Sequence, residues 1–313
     1  MKIALCFIIS YEHILNKENI WREWIEYNKD IINVYFYYKD KSKIKSSWIL
    51  KHVIPENCIY ETNYYHVIPA YLSLMNYAYH IDRQNQWFCF LTDSCCPIIS
   101  PIKFRYLFYT NYNKSIFNWK KSWWNIQFHK RGNLALLPKE LHLANDPWFV
   151  LKRENIGHCI NFTQKKEFLK IFTTICKGGL ANESLFAIIL YLSRQLKDCI
   201  CNVSHVADWS RMETSTSPHI FKNADEKDIQ FIENIMKKKK EKEKEKEKEK
   251  YVMFIRKVSP DFPDTIIKKY IYEYSNLDNE SFVVVYLFLV KYFFLVKYLL
   301  LFFFIKFIYS VYI

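Results

Sequence analysis

Three places in this chain put ionisable side chains where they could act on a bound molecule. Glu183, in Asn182-Glu183-Ser184, stands at the head of an apolar stretch whose spacing predicts a helix over 182–194. The backbone amides at a helix N-terminus favour negative charge, so a carboxylate there stays ionised and able to accept a proton. The same position equally suits a carboxylate that caps its own helix. Arg256 and Lys257 lie between Phe254 and the Ser259-Pro260 turn. Such a pair of cations either meets an anionic ligand or lies in solvent. Asp93 follows the apolar run 87–91 and either contacts a ligand or satisfies the amides of its own turn. Signals for a metal are absent. No Asp-x-Asp follows the core strands, no Cys-x-x-Cys occurs among nine scattered cysteines, and His66, His142, His158, His205 and His219 have neither metal-ligand nor triad spacing.

These side chains need a scaffold, and the hydrophobic pattern supplies one. Residues 2–9 form an apolar run of strand length, too short for a membrane span and without a cleavage site, which reads as a first buried strand. A helix over 19–27, a strand over 31–38, a helix over 67–79 and a second core strand over 87–91 follow, then strand-like 134–137 and 148–151. This alternation predicts an α/β fold with a parallel sheet covered on both faces. In open sheets of that class the ligand lies beyond the carboxyl ends of the strands, which places the loop 92–97 at the site.

Composition bounds the rest. A chain of 313 residues, 50% hydrophobic, has room for one large domain with a real core, and its 24 Tyr and 25 Phe against 4 Gly reflect an AT-rich coding bias. The formal net charge of +13 invites a nucleic-acid partner, but +4 of it comes from the nine Lys and five Glu of 237–250, and no zinc-finger, RNP or basic-helix motif accompanies it. No nucleic-acid partner is therefore expected. Strict Lys/Glu alternation sets like charges at i,i+4, so 237–250 reads as a solvated low-complexity insert within a domain spanning 1–276. The tail 277–313 is apolar over 281–313 except for Lys291, Lys297 and Lys306. A span needs about 20 apolar residues and a central lysine costs roughly 2.5–3.5 kcal/mol. The tail is either a membrane anchor with snorkelling lysines or translated non-coding sequence.

Several ordered motifs carry a resemblance. Trp21-Arg22-Glu23-Trp24, Val34-Tyr35-Phe36-Tyr37-Tyr38, Phe88-Cys89-Phe90-Leu91-Thr92-Asp93-Ser94-Cys95-Cys96-Pro97-Ile98 and Trp148-Phe149-Val150-Leu151-Lys152-Arg153-Glu154 are followed by three further blocks. These are Asn182-Glu183-Ser184-Leu185-Phe186, Val206-Ala207-Asp208-Trp209-Ser210 and Phe254-Ile255-Arg256-Lys257-Val258-Ser259-Pro260. Over about residues 1–262 the series resembles the core-2/I-branching β-1,6-N-acetylglucosaminyltransferases, especially their plant-like and viral-like branch.

The resemblance implies a GT-A, Rossmann-like mixed sheet flanked by helices, and an inverting, metal-independent transfer of a sugar. The sugar, N-acetylglucosamine in most members, would pass from a UDP-sugar to a glycan hydroxyl. It makes Glu183 the catalytic base, although the family often has Asp-Glu where this chain has Asn182-Glu183. It puts Arg256 and Lys257 on the donor diphosphate in place of a metal, with Arg211 as a further candidate, and Asp93 against sugar. Trp148 matches an aromatic block beside the acceptor, or simply packs. Asp208 and Trp209 match another block, in which Trp209 stacks on sugar or fills the core, with core favoured. The alternative reading is a catalytically degenerate relative that binds a nucleotide-sugar or glycan. Animal relatives are anchored in the Golgi, so the expected location is a membrane, or the cytoplasm if the tail is no anchor.

Overall fold

The computed structural model describes residues 1–63, 65–242 and 251–273, with the backbone alone at 237–242 and 273. Its strands, in chain order, are β1 (Lys2–Ile8), β2 (Ile32–Tyr37), β3 (Asn85–Thr92), β4 (Cys96–Pro97), β5 (Trp119–Lys121), β6 (Leu143–Asn145), β7 (Val150–Lys152), β8 (His205–Ala207) and β9 (Phe254–Arg256). The helices are α1 (Glu18–Glu26), α2 (Ser47–His52), α3 (Ile68–Ile81), α4 (Pro101–Asn111), α5 (Arg153–Gln164), α6 (Lys166–Cys176), α7 (Leu185–Leu192), α8 (Glu226–Lys242) and α9 (Asp264–Lys268).

The central sheet runs β2-β1-β3-β7, with β1 parallel to β2 and β3, and β7 antiparallel to β3. It is therefore mixed, and only its first three strands are parallel. β1 and β3 are buried on both faces, which is why they read as continuous apolar runs. Their alternation sorts the core into two layers. Leu5, Phe7, Cys89 and Leu91 face the side of Trp21, Trp24, Phe104 and Phe254, while Ala4, Cys6, Phe88 and Phe90 face Tyr71, Phe149 and Phe186.

Two smaller sheets extend this frame toward the site. One has the order β4-β9-β8, the other pairs β5 with β6. α1 fixes the first of them: its buried stripe of Ile20, Trp21, Trp24 and Ile25 packs inward, and the two indoles donate to the carbonyls of Cys95 at 2.9 Å and Ile99 at 2.8 Å. Both carbonyls flank β4, so the loop after β3 is tied to helix α1 rather than left to solvent.

Three sequence expectations change. Residues 134–137 are not a strand but a 3-10 turn, Leu134–Leu136, because Gly132 and Asn133 adopt left-handed backbone at φ +56° and +48° and turn the chain. The helix over 182–194 divides into a 3-10 turn, Ala181–Glu183, and α7, with Ser184 between them. The insert begins as helix, since the backbone of α8 continues to Lys242. Residues 243–250 and the tail 277–313 lie outside the described residues. All nine cysteines are unpaired.

Candidate active site

The site is built where two loops cross. The segment 131–133 runs against 178–180, with the Gly132 amide donating to the Gly179 carbonyl at 2.9 Å. A Cβ on Gly178 would lie 2.5 Å from the Asn133 nitrogen, so only glycine allows this approach. Leu180, at φ +53°, then turns the chain into the 3-10 turn that ends at Glu183. The crossing brings Arg131 onto Glu183, its Nη1 donating to Oε2 at 2.8 Å.

Glu183 does not cap α7. The amide of Ala187 is met by Asn145 Oδ1 at 3.2 Å, and Asn145 also donates to the carbonyls of Asp146 and Asn182 at 2.9 Å. With the cap supplied from β6, the Glu183 carboxyl is left to Arg131. Burial pushes its proton affinity above the ordinary carboxylate range, Arg131 opposes that shift, Asp146 adds to it and Arg256 opposes it. Asp146 is also raised by burial, against a hydrogen bond from Asn118 at 2.8 Å and the charges of Lys120 and Arg256.

Arg256 reaches the same place from the far end of the chain. It closes β9, in register with Ala207 of β8, and its guanidinium lies 5.1 Å from the Trp148 ring centroid. Trp148 in turn stacks on Tyr71 at 6.0 Å and 24°. Around Arg256 are the carboxylates of Asp93 and Glu183, and its buried Nε has no hydrogen-bond partner among the described residues. Trp148 Nε1, Asn182 Oδ1 and Ser184 Oγ are likewise buried and unpartnered there. A buried polar atom with no partner is costly, so several in one neighbourhood mark a place built to receive polar groups.

Lys257 is held beside Arg256 by the backbone, its carbonyl accepting from the Phe221 amide at 2.9 Å, while its Nζ donates to Ser217 Oγ at 2.8 Å. Burial, and then the neighbouring Arg256, weaken the ammonium's hold on its proton. Asp93 joins the ends of β1 and β3: its Oδ2 accepts from the Ser10 amide at 2.9 Å and its carbonyl from the Asn16 amide at 3.0 Å. Its charge favours the protonated forms of both Arg256 and Lys257.

The remaining sequence candidates are placed differently. Arg211 is committed to carboxylates, Nε to Asp208 at 2.7 Å and Nη2 to Asp228 at 2.9 Å, with Asp225 at 3.7 Å. Asp208 is buried and accepts from Ser210 as well, so its oxygens serve the loop that carries it. Trp209 is not core: it is 53% exposed. Arg131, Asp146 and Asn145 were not anticipated. Their signal was nonetheless present, since three of the chain's four glycines, Gly132, Gly178 and Gly179, make the crossing that gathers them.

A cleft of about 770 Å³ on the outer edge of β2, lined by Arg22, Tyr35, Trp48, His52 and Tyr77 among others, shares no residue with this cluster. Among the described residues no group of three or more His, Cys, Asp or Glu is disposed to hold a metal.

A mixed sheet flanked by helices gives the chain an α/β architecture of the GT-A kind, with the charged cluster beyond β3. Residues 33–236 match the family described as Core-2/I-Branching enzyme, and the chain belongs to that family, whose members are glycosyltransferases acting on glycans. The match includes Asp93, Arg131, Asp146, Trp148 and Glu183, while Arg256 and Lys257 lie beyond its end. A search of curated proteins returned no match.

Proposed function

We propose that the chain is an inverting, metal-independent glycosyltransferase that moves N-acetylglucosamine from its UDP-sugar to a glycan hydroxyl. The acceptor oxygen attacks the anomeric carbon as the bond to the diphosphate breaks. Glu183 takes the hydroxyl proton, and UDP leaves with the bonding electron pair. Arg256 and Lys257 meet the charge that develops on the diphosphate, the task a metal performs in enzymes with an Asp-x-Asp motif. Asp93 orients these cations from the end of β3, and Trp148 forms an apolar wall against which a sugar ring can lie.

One observation carries this reading. A carboxyl whose proton affinity is raised by burial shares its surroundings with a guanidinium contributed by a separate sheet, across 73 residues of chain. A base needs a pKa moved toward the working pH, and a fixed cation beside it suits a reaction in which the acceptor loses a proton while the donor gains negative charge.

The test is a panel of UDP-sugars scored for UDP release with a glycan acceptor, with and without EDTA. Activity should survive the chelator. Glu183→Gln should lower kcat by roughly 10²–10⁴-fold with donor affinity little changed. Turnover retained in that variant would remove Glu183 from the role of base, and EDTA-sensitive turnover would refute metal independence.

A further inference from the structure

The loop that leaves the site at Asn118 and returns at Arg131 is pinned at both ends to the site's two half-buried carboxyls, Asn118 Nδ2 to Asp146 at 2.8 Å and Arg131 Nη1 to Glu183 at 2.8 Å. Between these anchors Trp124 and Ile126 pack against the core, but two other rings face outward. Trp123 is 57% and Phe128 78% exposed, although large apolar rings at a protein's surface are normally turned inward. The loop is ordered from within: Asn125 Oδ1 accepts from the amides of Gln127 at 3.0 Å and Phe128 at 3.2 Å, and β5 pairs with β6. Its exposed rings are therefore displayed by a shaped element.

Charge is equally one-sided. Residues 119–131 hold four Lys and Arg and no acid, and no Asp or Glu occurs anywhere from Ser94 to Lys139. Lys120 lies 3.9 Å from the Trp123 ring centroid and acts on Asp146. Lys121 and Lys130 are exposed and have no carboxylate partner among the described residues. Trp124, beneath the Arg131 guanidinium at 5.2 Å, buries an Nε1–H without an acceptor among the described residues. An indole N–H so placed calls for an incoming oxygen.

We propose that this loop is the acceptor platform and that it selects an acidic glycan, one bearing a hexuronic acid next to the sugar that is extended. The proposal rests on the glycosyl-transfer reading above. Exposed rings accept the C–H faces of a pyranose, and unpaired lysines beside them accept an anion. A hexuronic acid offers both from one ring, because its carboxylate sits at the rim of a pyranose whose faces remain apolar. Arg256 and Lys257 belong to the donor side, so the lysines of this loop are free to serve the other substrate.

The experiment measures direct binding, by calorimetry, of an oligosaccharide that carries glucuronic acid and of the same oligosaccharide after carboxyl reduction to glucose. The acidic form should bind about tenfold more tightly in low salt, and the advantage should shrink as salt is raised. Lys121→Ser with Lys130→Ser should abolish the preference while leaving affinity for the reduced form and UDP release with a neutral acceptor unchanged. Equal affinity for the two forms, or a preference that persists in the double variant, overturns the proposal. Failure of the transfer reading looks different: no UDP release with any donor, whatever the glycan binding.

Discussion

The Glu183 carboxyl is held between two opposing influences, and for the proposed base their balance sets the expected dependence of activity on pH. Burial favours its neutral form, whereas Arg131 and Arg256 favour its charged form. A base works deprotonated, so activity should fall as pH drops through a pKa that lies above the ordinary carboxylate range. Arg131→Met removes the largest opposing influence, which raises that pKa further. The acid limb of the kcat profile should then move to higher pH, with activity recovering as pH is raised, and Arg131→Lys should restore part of the shift. A loss that is the same at every pH would make Arg131 merely structural. The sign for stability follows from the same shift. A carboxyl whose folded pKa is raised contributes stability below its unfolded pKa and loses that contribution as pH rises through the folded one. Glu183→Gln should therefore melt above the wild type at neutral pH, with the difference vanishing in acid.

Arg211 shows the opposite use of a charge. Its side chain is 23% exposed, while Asp208 and Asp228 beneath it are 2% exposed. Removing the guanidinium leaves buried Asp208 with Ser210 alone and Asp228 with His219 at 2.8 Å, a loss of charge-assisted bonds worth about 1.5–3 kcal/mol each. Arg211→Ala should lower the urea midpoint accordingly and leave donor affinity per folded molecule unchanged. A drop in donor affinity without loss of stability would return Arg211 to the diphosphate site.

At the scale of elements, the crossing of 131–133 over 178–180 decides whether Arg131 meets Glu183, and its two glycine types make separable demands. Gly132 needs left-handed backbone but has room, since a Cβ added there would come no nearer than 3.6 Å to its neighbours. Gly132→Ala should cost about 1–2 kcal/mol. Gly178 has ordinary φ but no room, because the obstruction is the backbone of Gly132 and Asn133. Gly178→Ala should cost about 3 kcal/mol or more, and should also shift the acid limb as Arg131→Met does. Urea titration and a pH profile of both variants check this, and equal effects would contradict it. The same crossing explains what the sequence hides. α1 is legible because one buried face imposes a helical period on it, and β1 and β3 because burial on both faces makes each a continuous apolar run. The 3-10 turn that carries Glu183 has no period of its own, so Asn182 and Glu183 read in sequence as the first residues of the helix that follows. Strand β7, only Val150–Lys152, reveals its apolar character but not its antiparallel direction. Trp209 misleads for a related reason: its neighbours in Val206-Ala207 are strand, but Asp208 turns the chain toward Ser210 and leaves the indole outside.

At the scale of the whole molecule, the two sets of charges belong to different halves of the core. Glu183 precedes α7, whose Phe186 packs with Tyr71 and Phe149 on one face of the central sheet. Arg256 ends β9, whose Phe254 and Ile255 pack with Trp21, Trp24 and Phe104 on the other. Neither half holds both sets of charges by itself; β1 and β3 join the two, contributing to both layers and leading into the loops that carry Ser10 and Asp93. Folding of a single face would thus leave Glu183, the proposed base, apart from Arg256 and Lys257. Because β1 and β3 are buried on both sides, loss of either layer exposes apolar surface of the same strands, which couples the layers energetically. Donor binding, read by UDP displacement, and core packing, read by tryptophan fluorescence of the buried Trp21, Trp24 and Trp87, should therefore fail at the same urea concentration. Donor binding lost well before the fluorescence change would mean that β4, β8 and β9 form a separately stable unit and that the site is held together by the weaker of two parts.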